Sequence, residues 1–243
     1  GEPSDEGEAN DRMDSLLFLA DALDSVQMDD TAFRDSVEMG VLYSCVLPGS
    51  GNIVSGRSAV IRNWAHDTTE ALVARAGIKA ALGHNPRSVH DWKGTRPFTR
   101  MGALALLRRR LAEVRQKIEE ARRAKKSGSS TKPEVKPLTP EEEVVRALLE
   151  GRERLRTHVH KIDDIAGLLR LKEEFGLRVT VEHAGDVHDG RIFTTLKEQG
   201  VPVVFGPLDS FAYKVELKHE NWRNLRHLVD SGVSYGLMTD HPV

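Results

Sequence analysis

The chain has 243 residues, of which 39% are hydrophobic and 30% charged, a balance typical of a globular protein with room for one large domain. Lysine and arginine number 35 against 37 aspartates and glutamates, so the near-zero net charge argues against nucleic acid or an anionic membrane as the main partner. No apolar run is long enough to span a bilayer, and the single cysteine, Cys45, excludes an intrachain disulfide.

Both ends of the chain suggest a piece of a longer protein. Residues 1–14 are polar and acidic and do not resemble a natural start, and Val243 directly follows a candidate strand with no closing helix. We therefore expect the chain to be incomplete at both ends. No signal peptide is visible, so a cytoplasmic protein is expected, with a signal peptide upstream of Gly1 as the alternative.

The N-terminal part predicts short strands separated by turns. A helix capped by Asp29-Asp30-Thr31 and ended by Gly40 precedes an apolar strand at residues 41–47. That run contains Cys45, for which we predict a buried, inert thiol. Further strands are predicted at residues 58–62 and 77–82.

A helical excursion is predicted around residues 99–150. Residues 101–126 carry leucine, valine and isoleucine at helical spacing, and the other face of this predicted helix is charged with both signs. Residues 127–140 are rich in serine, lysine and proline and predict a mobile linker. A second helix begins after Thr139, with Pro140 in its first position. The excursion divides one domain into a first part at residues 1–98 and a second part at residues 151–243.

Strands and helices alternate regularly after residue 150. Strands are predicted at 155–159, 178–182, 201–205 and 232–238, and helices at 163–175, 190–199 and 222–230. Short turns and nearly continuous apolar strands predict a parallel sheet covered by helices, in an α/β class. A barrel and a doubly wound sheet both fit this pattern. No glycine-rich dinucleotide fingerprint follows any strand, which favours the barrel.

Imidazoles and carboxylates recur where the predicted strands end. One strand ends at His158, the next at His183 and the last at Asp240, while Lys79 lies on an earlier strand. In an α/β barrel the carboxyl ends of the strands carry the active groups. Neutral imidazole together with carboxylate suits zinc or another borderline divalent ion.

Several motifs resemble the metal-dependent amidohydrolase superfamily, and most of all its imidazolonepropionase-like and dipeptidase-like members. The sequences HVHKIDDI at 158–165, LKEEFGL at 171–177 and VEH at 181–183 resemble the middle of such a protein. The segment GVL at 40–42 resembles the second strand of the superfamily. Three further segments resemble one uncharacterised branch of it: PGSGNI at 48–53, KAALGHNP at 79–86 and TRMG at 99–102.

The resemblance implies a TIM-like (β/α)8 barrel and a set of site residues. By position, His158 and His183 match metal ligands, and Asp240 matches the carboxylate that binds metal and serves as the general base. Lys79 matches a bridging lysine that is carboxylated in binuclear members. His160 and His241 match positions near substrate or behind the ligands, or they are plain solvated histidines. The implied cofactor is one or two divalent ions, most often zinc, with iron or manganese as alternatives.

One departure from the family pattern concerns its first strand, which ends in a His-x-His pair. No such pair precedes His66 in this sequence. The spacing recurs at His158 and His160, but in another context. Either the protein never had the pair or the pair lies upstream of Gly1, and we expect the second. In that case this piece alone binds metal weakly and is inactive.

Three functions remain open from the sequence. The first is a metal-dependent hydrolase that cleaves an amide or another carbon–nitrogen bond, cyclic or linear, in a small molecule or short peptide. The second is a non-catalytic barrel that acts as a scaffold or binding module through the charged helix at residues 101–126. The third is a metal-free enzyme with Lys79 as a Schiff-base nucleophile. The oligomeric state is open, a homo-oligomer included.

Overall fold

The structure is a computed structural model, and it describes residues 8–11, 14–87, 96–126, 136–208 and 215–240. The strands are β1 (Tyr43–Val46), β2 (Val54–Arg62), β3 (Leu72–Ala81), β4 (Arg154–Val159), β5 (Arg178–His183), β6 (Val203–Phe205) and β7 (Tyr235–Leu237). The α-helices are α1 (Thr31–Glu38), α2 (Thr68–Ala71), α3 (Arg100–Lys126), α4 (Pro140–Leu149), α5 (Ile162–Phe175), α6 (Arg191–Glu198) and α7 (Leu225–Ser231).

The described strands form one seven-stranded sheet in the order of the sequence, from β1 to β7. The strands β3 to β7 are parallel, and for β4 to β7 the sequence pattern after residue 150 predicts this arrangement. The strand β2 runs antiparallel to both of its neighbours, β1 and β3. The connection between β2 and β3 holds only the short helix α2, and parallel neighbours need a crossover of about a dozen residues or more.

The helices after residue 150 cover the parallel strands. The helix α5 begins after Lys161 and ends at Gly176, whose left-handed backbone (φ 70°) is the conformation that glycine adopts most easily. Its buried side chains, which include Ile165, Leu168 and Leu171, pack in the main hydrophobic core. The same core receives Phe193 from α6. The predicted alternation of strand and helix is therefore confirmed here.

The helical excursion packs onto this core. The helix α3 buries Leu107, Leu111 and Val114 along one stripe, as its spacing predicts. Thr139 caps α4 in a reciprocal pair of hydrogen bonds with Glu142. The two helices are joined by an ion pair between Lys117 and Glu142, 2.5 Å apart. Most of the predicted linker, residues 127–135, lies outside the described residues, and the division of the domain into two parts stays a prediction.

The predicted burial of residues 41–47 is wrong. Cys45 is exposed, as are Leu42 and Tyr43. Within the described sheet β1 is an edge strand that pairs only with β2, so its apolar side chains are covered less than those of a central strand. Cys45 Sγ accepts a hydrogen bond from the Arg156 guanidinium, at 2.8 Å.

None of the described helices has both the length and the apolar character needed to cross a bilayer.

Candidate metal centre

Polar side chains collect on one face of the sheet near the carboxyl ends of the strands. Lys79 on β3 lies opposite Arg156 on β4, and His158 lies opposite Glu182 on β5. Because side chains alternate along a strand, these four residues share one face. All four are largely removed from solvent, although charged and imidazole side chains are rarely buried without a partner or a function.

Three histidines form a tight, buried group at this edge. His158, His160 and His183 are 3%, 7% and 3% exposed. The His158 ring centroid lies 4.1 Å from that of His183 and 4.7 Å from that of His160. One ring nitrogen from each residue lies within 4.8 Å of the others. The sequence predicts two of these residues as ligands, and the structure brings His160 into the same group.

The backbone at the end of β5 aims the His183 ring into this group. His183 pairs with Val159 on β4 and with Phe205 on β6. Neighbouring residues of a strand point to opposite faces of the sheet, so on a regular strand His183 would share the face of Val159 and point away from His158. Its φ of 77° and the φ of 55° at Ala184 place two consecutive non-glycine residues in the left-handed region. Such conformations are uncommon and cluster at functional sites. Here the departure from strand geometry brings the ring to His158.

A backbone carbonyl fixes the tautomer of His183. Nδ1 lies 2.9 Å from the carbonyl oxygen of Gly206, which only accepts, so Nδ1 carries the proton and donates. The lone pair is therefore on Nε2, the arrangement usual for a histidine that ligates metal. Gly206 has a φ of 142°, and a Cβ there would collide with the Met238 carbonyl. A glycine at this position lets β6 approach β7 closely.

His158 is oriented by a residue that is distant in the sequence. Its Nδ1 lies 2.9 Å from the hydroxyl of Ser50, in the loop after β1, and 108 residues separate the two. Hydrogen bonds of this type orient an imidazole and are found behind most histidine ligands. Ser50 belongs to the PGSGNI segment, whose contact with His158 the sequence does not reveal.

Buried charges surround Lys79. The Arg156 guanidinium and the Glu182 carboxylate form a bidentate pair, with N–O distances of 2.9 and 3.1 Å. Burial lowers the pKa of Lys79 below its usual value, against the opposing attraction of the Asp240 and Glu182 carboxylates. Lys79 therefore carries a larger neutral fraction at neutral pH than an exposed lysine does.

Asp240 lies beside the histidine group. Its Oδ2 is 3.9 Å from Nδ1 of His183, and its side chain is 38% exposed. A φ of 52° turns the backbone at Asp240, shortly after the end of β7, and aspartate tolerates this conformation better than most residues do. The structure therefore brings Asp240, His183, His158 and His160 to one edge, while His241 lies outside the described residues.

The donor set fits a borderline divalent cation. The group offers three imidazoles with a nearby carboxylate, and zinc and its neighbours bind neutral imidazole and carboxylate well. The roles of Lys79, His158, His160, His183 and Asp240 remain predictions.

Comparisons with known proteins find two amidohydrolases that are similar to this chain. No protein-family model matches the sequence. The curated protein "Amidohydrolase tasK" of Hapsidospora irregularis is 25% identical in an alignment 256 residues long. This alignment covers 97% of this chain. A crystal structure of an amidohydrolase from Thermotoga maritima MSB8 is 33% identical, covers 97% of this chain and superposes with a TM-score of 0.86. The match spans 26% of the first protein and 60% of the second.

The structural similarity confirms the TIM-like barrel class, of which the described sheet is a curled part. The fold and the two similarities together support the assignment of this chain to the amidohydrolase superfamily.

Proposed function

We propose that this chain forms the active-site barrel of a metal-dependent hydrolase that cleaves an amide or another carbon–nitrogen bond. The observation that carries the proposal is the group of three buried histidines beside Asp240 at the carboxyl edge of the parallel strands. The proposed ligands are His158, His183 and Asp240. Both relatives are named amidohydrolases, which supports hydrolysis in general.

The proposed cofactor is zinc, with iron or manganese as alternatives and one or two ions. Bound there, the cation would polarise the substrate carbonyl and make water a better nucleophile at neutral pH. The protein supplies the orientation of the donors: Gly206 holds His183 through Nδ1, and Ser50 holds His158. We propose that His160, which lies in the same group, either contacts the substrate or supports the metal ligands without binding the metal itself.

Asp240 is the proposed general base. A partly exposed carboxylate at the edge of the histidine group can accept the proton of the attacking water at an oxygen. The same carboxyl group then donates this proton to the leaving nitrogen, which departs as a neutral amine. Both transfers require Asp240 to be ionised before the reaction starts.

Lys79 is proposed as the bridging residue of a binuclear site. A neutral amine adds to carbon dioxide and loses a proton to give a carbamate, whose two oxygens can reach two cations. The burial of Lys79 favours the neutral amine that this step needs. A neutral amine is also what a Schiff base requires, so borohydride trapping with a carbonyl compound separates the two roles.

Metal removal and reloading test this function. The test uses a chain extended upstream of Gly1, because this piece alone is expected to be inactive. Against a panel of dipeptides, N-acyl amino acids and cyclic amides, we expect its hydrolysis to disappear after chelator treatment and to return with zinc, iron or manganese. The readout is the released amine, beside circular dichroism that checks the fold. Hydrolysis that persists in protein shown to be free of metal would refute metal dependence. A metal-loaded protein inert to the whole panel would favour the scaffold function.

A further inference from the structure

A second group of metal-type donors lies next to the histidine centre. It consists of Asp186 and His188, which follow β5, and His219, which precedes α7. One donor atom from each lies within 4.8 Å of the other two. A Cβ built on Gly185 would lie 3.3 Å from Nδ1 of His160, so the two groups are neighbours along the same edge.

Asp186 is a fixed, buried carboxylate. The residue is 1% exposed, and its Oδ1 accepts the backbone N–H of His219 at 2.7 Å. Oδ2 lies 3.0 Å from the Lys161 ammonium and 3.4 Å from Nδ1 of His219. One oxygen is therefore committed to the backbone, while the other faces two side chains that carry or can carry positive charge.

The imidazole of His188 is oriented as metal ligands usually are. Its Nδ1 lies 3.0 Å from the backbone carbonyl oxygen of Asp186, which only accepts. Nδ1 is therefore the donor, and the lone pair is on Nε2. The His188 and His219 ring centroids lie 4.0 Å apart with 40° between the planes. Both rings are partly open to solvent, so a dissolved ion can reach them.

The spacing of the donors suits a tetrahedral ion. The 3.4 Å between Nδ1 of His219 and Oδ2 of Asp186 exceeds a good hydrogen bond. Two ligands, each about 2.0–2.1 Å from zinc at a tetrahedral angle, lie about 3.3–3.4 Å apart. This separation therefore equals the one that two ligands of the same ion would have.

We propose that Asp186, His188 and His219 form a second, solvent-accessible site for a zinc-class divalent cation at the rim of the first. Two imidazoles and one carboxylate suit a cation of intermediate softness such as zinc, and water completes the coordination. A bound ion would join the segment after β5 to the segment before α7. It would compete with Lys161 for Asp186, so the second site binds more weakly than the first.

Zinc titration of the full chain tests the second site. The titration uses tag-free His158→Ala/His183→Ala protein and a chromophoric chelator as competitor, so that the first site makes no contribution. We expect about one equivalent of zinc to bind, and His188→Ala/His219→Ala added to this background to weaken binding about 100-fold or more. Lys161→Met should tighten binding severalfold, because it removes the competing charge. The matched control is His66→Ala/His227→Ala, which should leave binding unchanged.

Two results would overturn the second site. One is a correctly folded His158→Ala/His183→Ala protein that binds no zinc, and the other is binding that survives the loss of His188 and His219. If that background does not fold, the wild-type chain is compared with His188→Ala/His219→Ala alone. The zinc stoichiometry then has to fall by one ion for the proposal to stand. The test does not depend on the catalytic proposal, because it measures zinc without the catalytic ligands.

Discussion

Replacement of Asp240 by asparagine should lower kcat by about 10²- to 10⁴-fold on any amide that the protein hydrolyses. The amide of asparagine cannot accept the proton of the attacking water, which is the proposed role of the carboxylate. Asparagine tolerates the left-handed backbone of this position (φ 52°), so the turn after β7 should be kept. The measurements are steady-state kinetics and the midpoint of thermal unfolding.

The control for this prediction is Asp230→Asn, an exposed aspartate at the end of α7. It makes the same chemical change away from the histidine group and should leave kcat unaltered. Full activity in Asp240→Asn would show that another group is the base. An unfolded Asp240→Asn protein would mean that the residue acts on structure, although its side chain is 38% exposed.

Removal of the Arg156 guanidinium should lower the free energy of unfolding by about 3–5 kcal/mol. Arg156→Ala leaves Glu182, whose side chain is 2% exposed, as a buried carboxylate without its hydrogen-bonded guanidinium partner. The cost arises from the carboxylate that stays behind, more than from the attraction that is lost. Urea unfolding of the wild type and the variant measures the difference.

A double variant and an exposed pair provide the controls. Arg156→Met/Glu182→Leu removes both charges and should recover most of the lost stability, because hydrophobic replacements for a buried ion pair are often neutral. Arg146→Ala breaks the exposed pair with Glu150 and should leave the free energy of unfolding almost unchanged. An equal cost for Arg146→Ala and Arg156→Ala would contradict the idea that burial sets the penalty.

The elements with strong local signals were predictable from the sequence. The capping pair of Thr139 and Glu142, the stop of α5 at Gly176 and the apolar stripe of α3 each depend on neighbouring residues. The antiparallel pairing of β1, β2 and β3 was not predicted. The sequence of an apolar strand does not indicate whether it will pair parallel or antiparallel with its neighbours, because the direction depends on partners elsewhere in the chain. The exposure of Cys45 follows from the same missing information, the edge position of β1.

The candidate site was predictable at strand ends and not beyond them. The positions of His158, His183 and Asp240 follow from where the strands stop. The contact between Ser50 and His158, and the pairing of Arg156 with Glu182, join distant segments. His188 and His219 lie 31 positions apart in the numbering and meet only through the loops. A local Asp-x-His pattern at 186–188 was the one available sign of the second group.

Metal content by mass spectrometry tests the central claim most directly. The tag-free chain is compared with its His158→Ala/His183→Ala variant, both in the His188→Ala/His219→Ala background, so that only the histidine centre is counted. We predict bound zinc, iron or manganese in the first protein, up to about one or two equivalents, and none in the second. Equal metal content in both proteins, each folded by circular dichroism, would contradict the assignment of His158 and His183 as ligands.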